Sequence, residues 1–329
     1  MTRTDLVVSE DGHVGRARRL AAATAQQAGL PMEQVHRVAL AATELATNLV
    51  KHAGRGVFSV VPGPGQLDLL AADKGPGIGR IEASMRDGYS TTGTMGAGLG
   101  SIRRAADYFD AYSLAGRGTV VLARWRHGTP LPGVRIGAAR LTAPGETECG
   151  DMWVAAPGGT AVSIGLSDGL GHGDAAAHAS AAAVETITEH AAAAPARILE
   201  AMQQSLARTR GATVAVVQIT PAEGRMHFAG IGNIATRRYG EAGARVQRLL
   251  SRPGIVGVAG TNRVPDSTDS WSPHSWLVLH TDGVSERWSA DDWPGLLRHD
   301  PATVAGWILA QHSRGRDDSC VVVVTGGGG

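Results

Sequence analysis

Thiols are scarce in this chain: Cys149 and Cys320 are the only two cysteines in 329 residues. So few exclude a disulfide-stapled secreted domain and suit a reducing, cytoplasmic compartment. An excess of one charge is missing too, since 31 Lys and Arg against 30 Asp and Glu leave a formal net charge of +1. Without a strong overall field, neither nucleic acid nor an acidic membrane surface is the expected partner. No apolar run approaches the ~18 residues of a membrane span, and Met1-Thr2-Arg3-Thr4-Asp5 leads into no apolar signal core. Internal repeats are absent, so two different folds are expected rather than two copies. What the chain has in quantity is glycine, 45 residues, which weakens any single glycine motif as a signal.

The length fits two domains, each able to bury its own core. The breaker-rich segment His127-Gly128-Thr129-Pro130-Leu131-Pro132-Gly133 divides an N-terminal domain, 1–126, from a C-terminal one, 134–326, with 127–133 as linker. In the first, helices are expected at 13–28, 33–52 and about 98–108. Val35, Val38, Leu40, Ala42, Leu45 and Leu49 set the apolar spacing of the second. Strand-like runs lie at 57–61, 67–72 and 119–125. In the second domain, strands are expected at 135–141, 152–155 and 160–167. Ala-rich helices follow at 174–192 and 195–209, then strands at 212–219, 225–230, 234–239, 276–281 and 320–325. The fold class is therefore α+β.

Three pieces in the N-terminal half point to a nucleotide. Glu44 and Asn48, spaced i, i+4, share one helical face. A carboxylate beside a carboxamide can orient a nucleophile and hold one side of a hydrated Mg²⁺. Asp73, closing an apolar strand in Asp73-Lys74-Gly75-Pro76-Gly77-Ile78, can accept a hydrogen bond from an exocyclic amine. Gly75 and Gly77 permit close backbone approach. Gly96-Ala97-Gly98-Leu99-Gly100 opens a helix as a phosphate cradle, and Gly116-Arg117-Gly118-Thr119 enters the last strand of the domain. Singly, each is more often a solvated helix face or a turn; their order and intervals together reverse that reading.

With these residues in place, 1–126 resembles the GHKL ATPase superfamily, above all the small anti-sigma-factor kinases of the RsbW and RsbT type. The string Asp87-Gly88-Tyr89-Ser90-Thr91-Thr92-Gly93 followed by Gly98-Leu99-Gly100 is most similar to the RsbT-like kinases. The resemblance implies an α/β sandwich with a mixed sheet backed by helices, and a Mg²⁺-ATP site under a lid at 78–97. It also implies phosphorylation of Ser or Thr on a STAS-domain protein. Glu44 would be the catalytic base, Asn48 the Mg²⁺ contact and Asp73 the adenine reader. Gly75 and Gly77 would line the pocket, with Gly96, Gly98, Leu99, Gly100 and Thr119 completing it.

The C-terminal half carries four acidic motifs at strand ends: Gly150-Asp151, Ser167-Asp168-Gly169-Leu170-Gly171-His172-Gly173, Thr281-Asp282-Gly283-Val284-Ser285-Glu286 and Asp317-Asp318. Carboxylates at neighbouring strand ends can converge, and oxygen-only donors suit Mg²⁺ or Mn²⁺ rather than Zn²⁺. A lone Asp-Gly is usually a turn; the full set is much rarer. His172 could serve as a general acid, but it follows a glycine turn and is expected in solvent rather than at a reacting atom. Cys149 and Cys320 are expected as buried small hydrophobes.

Residues 134–325 resemble the PPM family of metal-dependent serine/threonine phosphatases in its SpoIIE-like branch. Pro144-Gly145-Glu146-Thr147-Glu148-Cys149-Gly150-Asp151-Met152-Trp153 is most similar to RsbX-type members. This implies a β-sandwich flanked by helices, with two Mn²⁺ or Mg²⁺ in the cleft. Asp168 would bridge both ions, the Gly169 carbonyl would bind one, Asp282 and Asp317 would complete the second, and Asp151 would hold metal-bound water. Asp317 is preferred over Asp318, the family ligand being the first residue of the pair.

The expectation is a bifunctional cytoplasmic regulator of partner switching in a sigma-factor or stress-signalling pathway. It would phosphorylate and dephosphorylate STAS-domain proteins, with a sigma factor or a separate phosphatase as further partners. Tethering would concentrate both activities around one partner. The rivals are a phosphatase whose N-terminal domain only senses ATP or a partner, and a non-enzymatic scaffold.

Overall fold

The apolar run Gly56–Gly63 and its neighbour Gln66–Asp73 pair through the tight turn between them, so that Val61 faces Asp68 and Gly56 faces Asp73. The protein is described here by a computed structural model covering residues 4–79, 98–240, 246–258 and 264–327. Two compact units result: Thr4–Pro130 together with Ser289–Gln311, and Leu131–Trp288 together with His312–Gly329.

The first unit runs β1 (Asp5–Val8), α1 (Asp11–Gln27), α2 (Met32–Asn48), β2 (Gly56–Gly63), β3 (Gln66–Asp73), α3 (Leu99–Ala105), β4 (Tyr108–Leu114) and β5 (Gly118–Arg126). The five strands form one sheet in the order β1-β2-β3-β5-β4. Every pairing in it is antiparallel. The α+β class stands, but the mixed sheet implied by resemblance is corrected to an antiparallel one. One sheet face buries Phe58, Val60, Leu67, Leu69, Val121, Ala123 and Trp125 in a core shared with Val35, Val38, Ala42 and Leu45 of α2. Leu40, counted in the helical spacing, is exposed. The helix expected at 33–52 keeps its α geometry only to Asn48 and widens to a π turn over Leu49–Ala53.

The opposite face is defined by the register Asp68↔Arg124, Leu70↔Leu122 and Ala72↔Val120. Residues 289–311, placed in the C-terminal domain by sequence, cover it as part of this unit. They form two short 3₁₀ turns and the helix α6 (Pro301–His312). The Trp307 ring meets Tyr112 edge-on at 4.8 Å. Gly306 lets α6 approach closely, because a Cβ there would stand 3.0 Å from Val120. Nearly every residue of α6 is buried, so the helix lacks the polar stripe that marks an amphipathic segment.

The second unit contains β6 (Val134–Leu141), β7 (Asp151–Gly158), β8 (Ala161–Gly169), α4 (Asp174–Glu189), α5 (Pro195–Ser205), β9 (Ala212–Thr220), β10 (Arg225–Ile231), β11 (Ala235–Tyr239), β12 (Gln247–Leu249), β13 (Ser267–Ser270), β14 (Trp276–His280) and β15 (Ser319–Gly326). Two five-stranded sheets build the sandwich, in the orders β13-β10-β9-β8-β7 and β12-β11-β14-β15-β6. The helical pair follows the third strand, as expected. Its residues Ala183, Ile187, Ile198, Leu199 and Met202 share a core with Val214, Val216 and Ile231. Among the described residues no helix is long and apolar enough to cross a membrane.

Candidate active sites

In the second unit the antiparallel register of β7 and β8 sets Asp151 directly opposite Asp168. Pairing of β14 with β15 ends at His280↔Val321, which leaves Asp282 and Asp317 at the same end of that ladder. Asp151 is buried and opens β7. Thr281 Oγ1 donates to Asp151 Oδ2 at 2.6 Å and accepts the Cys320 N–H at 2.9 Å. Asp282 is exposed, and its Oδ2 accepts from Asn233 Nδ2 at 2.8 Å. Thr213 Oγ1 holds the Asn233 carbonyl in turn at 3.0 Å.

Asp317 and Asp318 separate cleanly. Asp318 is buried, and its two oxygens accept the N–H of Ala143 at 2.7 Å and of Gly150 at 2.8 Å. Its carboxylate thus ties both ends of the loop between β6 and β7 to the start of β15. Asp317 is exposed, its Oδ1 accepting only the adjacent Asp318 N–H among the described contacts, at 2.9 Å. Gly169 must be glycine here, because a Cβ would run into the Ala176 carbonyl of α4.

Burial, then the negative charges of Asp282, Asp317 and Asp318, push Asp168 up to about 7. Burial and the Asp168 charge push Asp151 well above the usual carboxylate range, against the Thr281 hydrogen bond. Like charges crowded at one pole are what a hard cation relieves, so this donor set fits a divalent ion. Among the described residues no three His, Cys, Asp or Glu side chains form a group that could hold an ion by themselves. Carbonyl oxygens such as that of Gly169, and water, would have to complete the shell. His172 pairs with Glu146 at 2.6 Å on the surface. Cys149 and Cys320 are buried, and burial pushes both thiols up, away from reactivity.

In the first unit Glu44 and Asn48 lie half-buried near the end of α2. Burial raises the Glu44 pKa, with Lys51 opposing. Asp73 ends β3, and its Oδ1 accepts the Gly75 N–H at 2.7 Å. The Thr119 backbone also donates to Asp73, and burial nevertheless keeps its pKa raised. Gly77 has φ +74 and presses on the Leu114 carbonyl, so it shapes the loop by close packing. Ser113, not anticipated from sequence, gathers this corner. Its Oγ accepts from Ile78 N at 2.7 Å, donates to Gly118 O at 2.9 Å and lies 2.9 Å from the Thr119 hydroxyl. Gly98 precedes α3, in which Leu99 and Gly100 are buried. Gly96, the string 87–93 and most of the expected lid lie outside the described residues.

Residues 158–325 match the family model of stage II sporulation protein E (SpoIIE), and residues 7–125 match that of the histidine kinase-like ATPase domain. These matches, on the observed fold, define a metal-dependent serine/threonine phosphatase domain of PPM type joined to a kinase-like ATPase domain. The chain belongs to the SpoIIE family, with an N-terminal part of the RsbT kind. It is 36% identical over 130 residues to the serine/threonine-protein kinase RsbT of Bacillus subtilis strain 168, covering 38% of this chain and 92% of RsbT. The phosphoserine phosphatase RsbX of the same organism is 23% identical over 146 residues, 44% of this chain and 72% of RsbX. Among solved structures, one from work on the bacterial stressosome aligns with TM-score 0.53 at 24% identity, over 58% of this chain and 98% of that one. RsbX in complex with magnesium aligns with TM-score 0.51 at 18% identity, over 60% and 97%.

Proposed function

We propose that the chain is a bifunctional cytoplasmic regulator that phosphorylates and dephosphorylates Ser or Thr on STAS-domain proteins in a sigma-factor or stress-signalling pathway. The observation that supports it is the crowding of Asp168 with Asp151, Asp282 and Asp317 in one unit, beside Glu44 and Asn48 one turn apart on α2 and Asp73 at the end of β3 in the other. Both relatives named above belong, by their names, to opposing phosphate chemistries.

In the kinase half, Glu44 takes the proton from the substrate hydroxyl as that oxygen attacks the γ-phosphorus of ATP, and ADP leaves. Partial burial supports this role by making the carboxylate a stronger base. Asn48 would contact Mg²⁺, and Asp73 would accept from the adenine amine. Gly75, Gly77, Gly98, Leu99, Gly100 and Thr119 shape the remaining pocket.

In the phosphatase half, Asp168, Asp282, Asp317 and the Gly169 carbonyl would hold two Mn²⁺ or Mg²⁺. Such ions lower the pKa of water and neutralise the phosphoester. Asp151, fixed by Thr281, orients the attacking water; inorganic phosphate and the free hydroxyl leave.

The test uses the full-length purified chain, radiolabelled ATP and a STAS-domain protein from the same cell. Label transfer is expected, and Glu44→Ala is expected to abolish it. Release of the label with Mn²⁺ is expected to be lost in Asp168→Ala. ATP binding without transfer, with phosphatase activity that responds to nucleotide, would leave the N-terminal unit a sensor. Transfer unchanged in Glu44→Ala, or release unchanged in Asp168→Ala, would sink the respective half.

A further inference from the structure

Beside the metal-site carboxylates, the loop that follows β8 carries exposed groups of a different character. Leu170 directly follows Gly169 and is 46% exposed. Its N–H donates to the Gly211 carbonyl at 3.0 Å, which pins this loop to the segment entering β9. Arg210, the residue before Gly211, is exposed. Its guanidinium lies over Gly171, 3.2 Å from where a Cβ would stand, and Gly171 has φ +89. Val258, 47% exposed, also stands against Gly211, its Cγ2 3.5 Å from where a Cβ there would be. Among the described residues Arg210 forms no ion pair. A lone exposed leucine or arginine is ordinary surface. Here two of the six exposed large hydrophobics among the described residues sit at one lip, beside a cation without an ion-pair partner.

Distance decides what this lip can touch. Gly171 is two residues from Gly169, so their Cα atoms are at most about 7 Å apart. A guanidinium over Gly171 thus stands within reach of the chain that flanks a phosphoserine presented to the proposed metal site at Gly169. It lies within about a Debye length of the carboxylate pole, where an acidic ligand otherwise meets Asp151, Asp168, Asp282 and Asp317.

We propose that Arg210, with Leu170 and Val258, is a specificity site that grips the polypeptide flanking the phosphoserine, Arg210 taking an acidic residue beside it and the two aliphatic side chains an apolar one. This rests on the phosphatase reading above. It makes Arg210 a substrate-binding residue that grips the flanking chain and does not touch the bond that breaks.

The experiment compares three substrates on the full chain with Mn²⁺: p-nitrophenyl phosphate, a phosphoserine peptide flanked by Glu and Leu, and the same peptide with Lys in place of Glu. The wild type is expected to favour the acidic peptide. Arg210→Ala is expected to raise KM for it about tenfold, with kcat and p-nitrophenyl phosphate hydrolysis within twofold. Arg210→Lys restores much of the preference, and Arg210→Glu reverses it. Equal preference for both peptides in the wild type, unchanged discrimination in Arg210→Ala, or equal loss on p-nitrophenyl phosphate overturns the site. No hydrolysis of any substrate by the wild type overturns instead the phosphatase reading; fluorescence anisotropy with the labelled peptides then decides the lip by the same preferences.

Discussion

Arg124 and Asp300 meet through two hydrogen bonds, Nη1 to Oδ2 at 2.9 Å and Nη2 to Oδ1 at 2.8 Å, although 176 residues separate them in the chain. On its other edge Arg124 binds Asp68 through Nε at 2.6 Å and Nη2 at 2.8 Å. All three side chains are buried. Burial works against the guanidinium charge, but the two carboxylates hold its pKa further above the ordinary arginine value. Because a chain segment from far downstream supplies Asp300, the ATPase sheet is complete by residue 126 but the cover on this face is not.

Arg124→Met leaves two buried carboxylates with no cation between them. Breaking a buried pair costs about 3–5 kcal/mol, so this variant is expected to unfold at markedly lower urea concentration. Asp300→Asn keeps the Asp68 arm and is expected to cost less. Chemical denaturation followed by tryptophan fluorescence ranks the two, and equal midpoints with wild type would contradict the role of the network.

Asp110 gives the same junction a pH dependence. Burial acts to raise its pKa, yet His299, the Asp300 N–H and the Thr303 hydroxyl hold it below the ordinary value. These contacts measure 2.9, 2.8 and 2.8 Å. A depressed folded-state pKa contributes stability that is present above the unfolded value, about 3.9, and lost as pH falls through the lower folded one. Melting temperature is therefore expected to drop steeply below about pH 4 in the wild type. In Asp110→Asn part of that slope disappears while stability at neutral pH falls by about 2 kcal/mol.

Much of both candidate sites could be nominated from sequence because their residues are local. Glu44 and Asn48 are one helical turn apart, and each acidic motif abuts a strand run. What sequence did not reveal depends on contacts across the chain. Ser113, Thr281 and Asn233 are small polar residues with no spacing signal, and they earn roles only through Thr119, Asp151 and Asp282. The segment 289–311 was invisible for another reason. Its helix is buried along most of its length, so no period marked it, and the one start signal, Asp300 before Pro301, whose Oδ1 accepts the Ala302 N–H at 2.9 Å, was passed over.

The Asp317-Asp318 pair offers a clean separation of roles. Asp318→Ala strips acceptors from the Ala143 and Gly150 N–H groups, each then costing about 1–3 kcal/mol. Loss of stability is expected, with activity falling as the fold does. Asp317→Ala removes an exposed carboxylate and is expected to keep the melting temperature within about 2 °C, a surface-substitution effect, while abolishing Mn²⁺-dependent hydrolysis of p-nitrophenyl phosphate. Calorimetry and the same assay on both variants decide it, and the reverse pattern would make Asp318 the ligand.

Thr281 tests whether the water-orienting role of Asp151 depends on its support. The hydroxyl donates to Asp151 and accepts from Cys320 N, so Thr281→Val conserves shape but orphans both groups. Partners that orient the groups around a metal typically matter by 10–100-fold, and a kcat loss of about that size is expected. Because Thr281 touches no proposed ion, Mn²⁺ affinity by titration should move far less than kcat. Thr281→Ser keeps the hydroxyl and is expected to recover most of the rate. A valine variant with wild-type kcat would mean that Asp151 is positioned by its burial in the β7–β8 ladder alone.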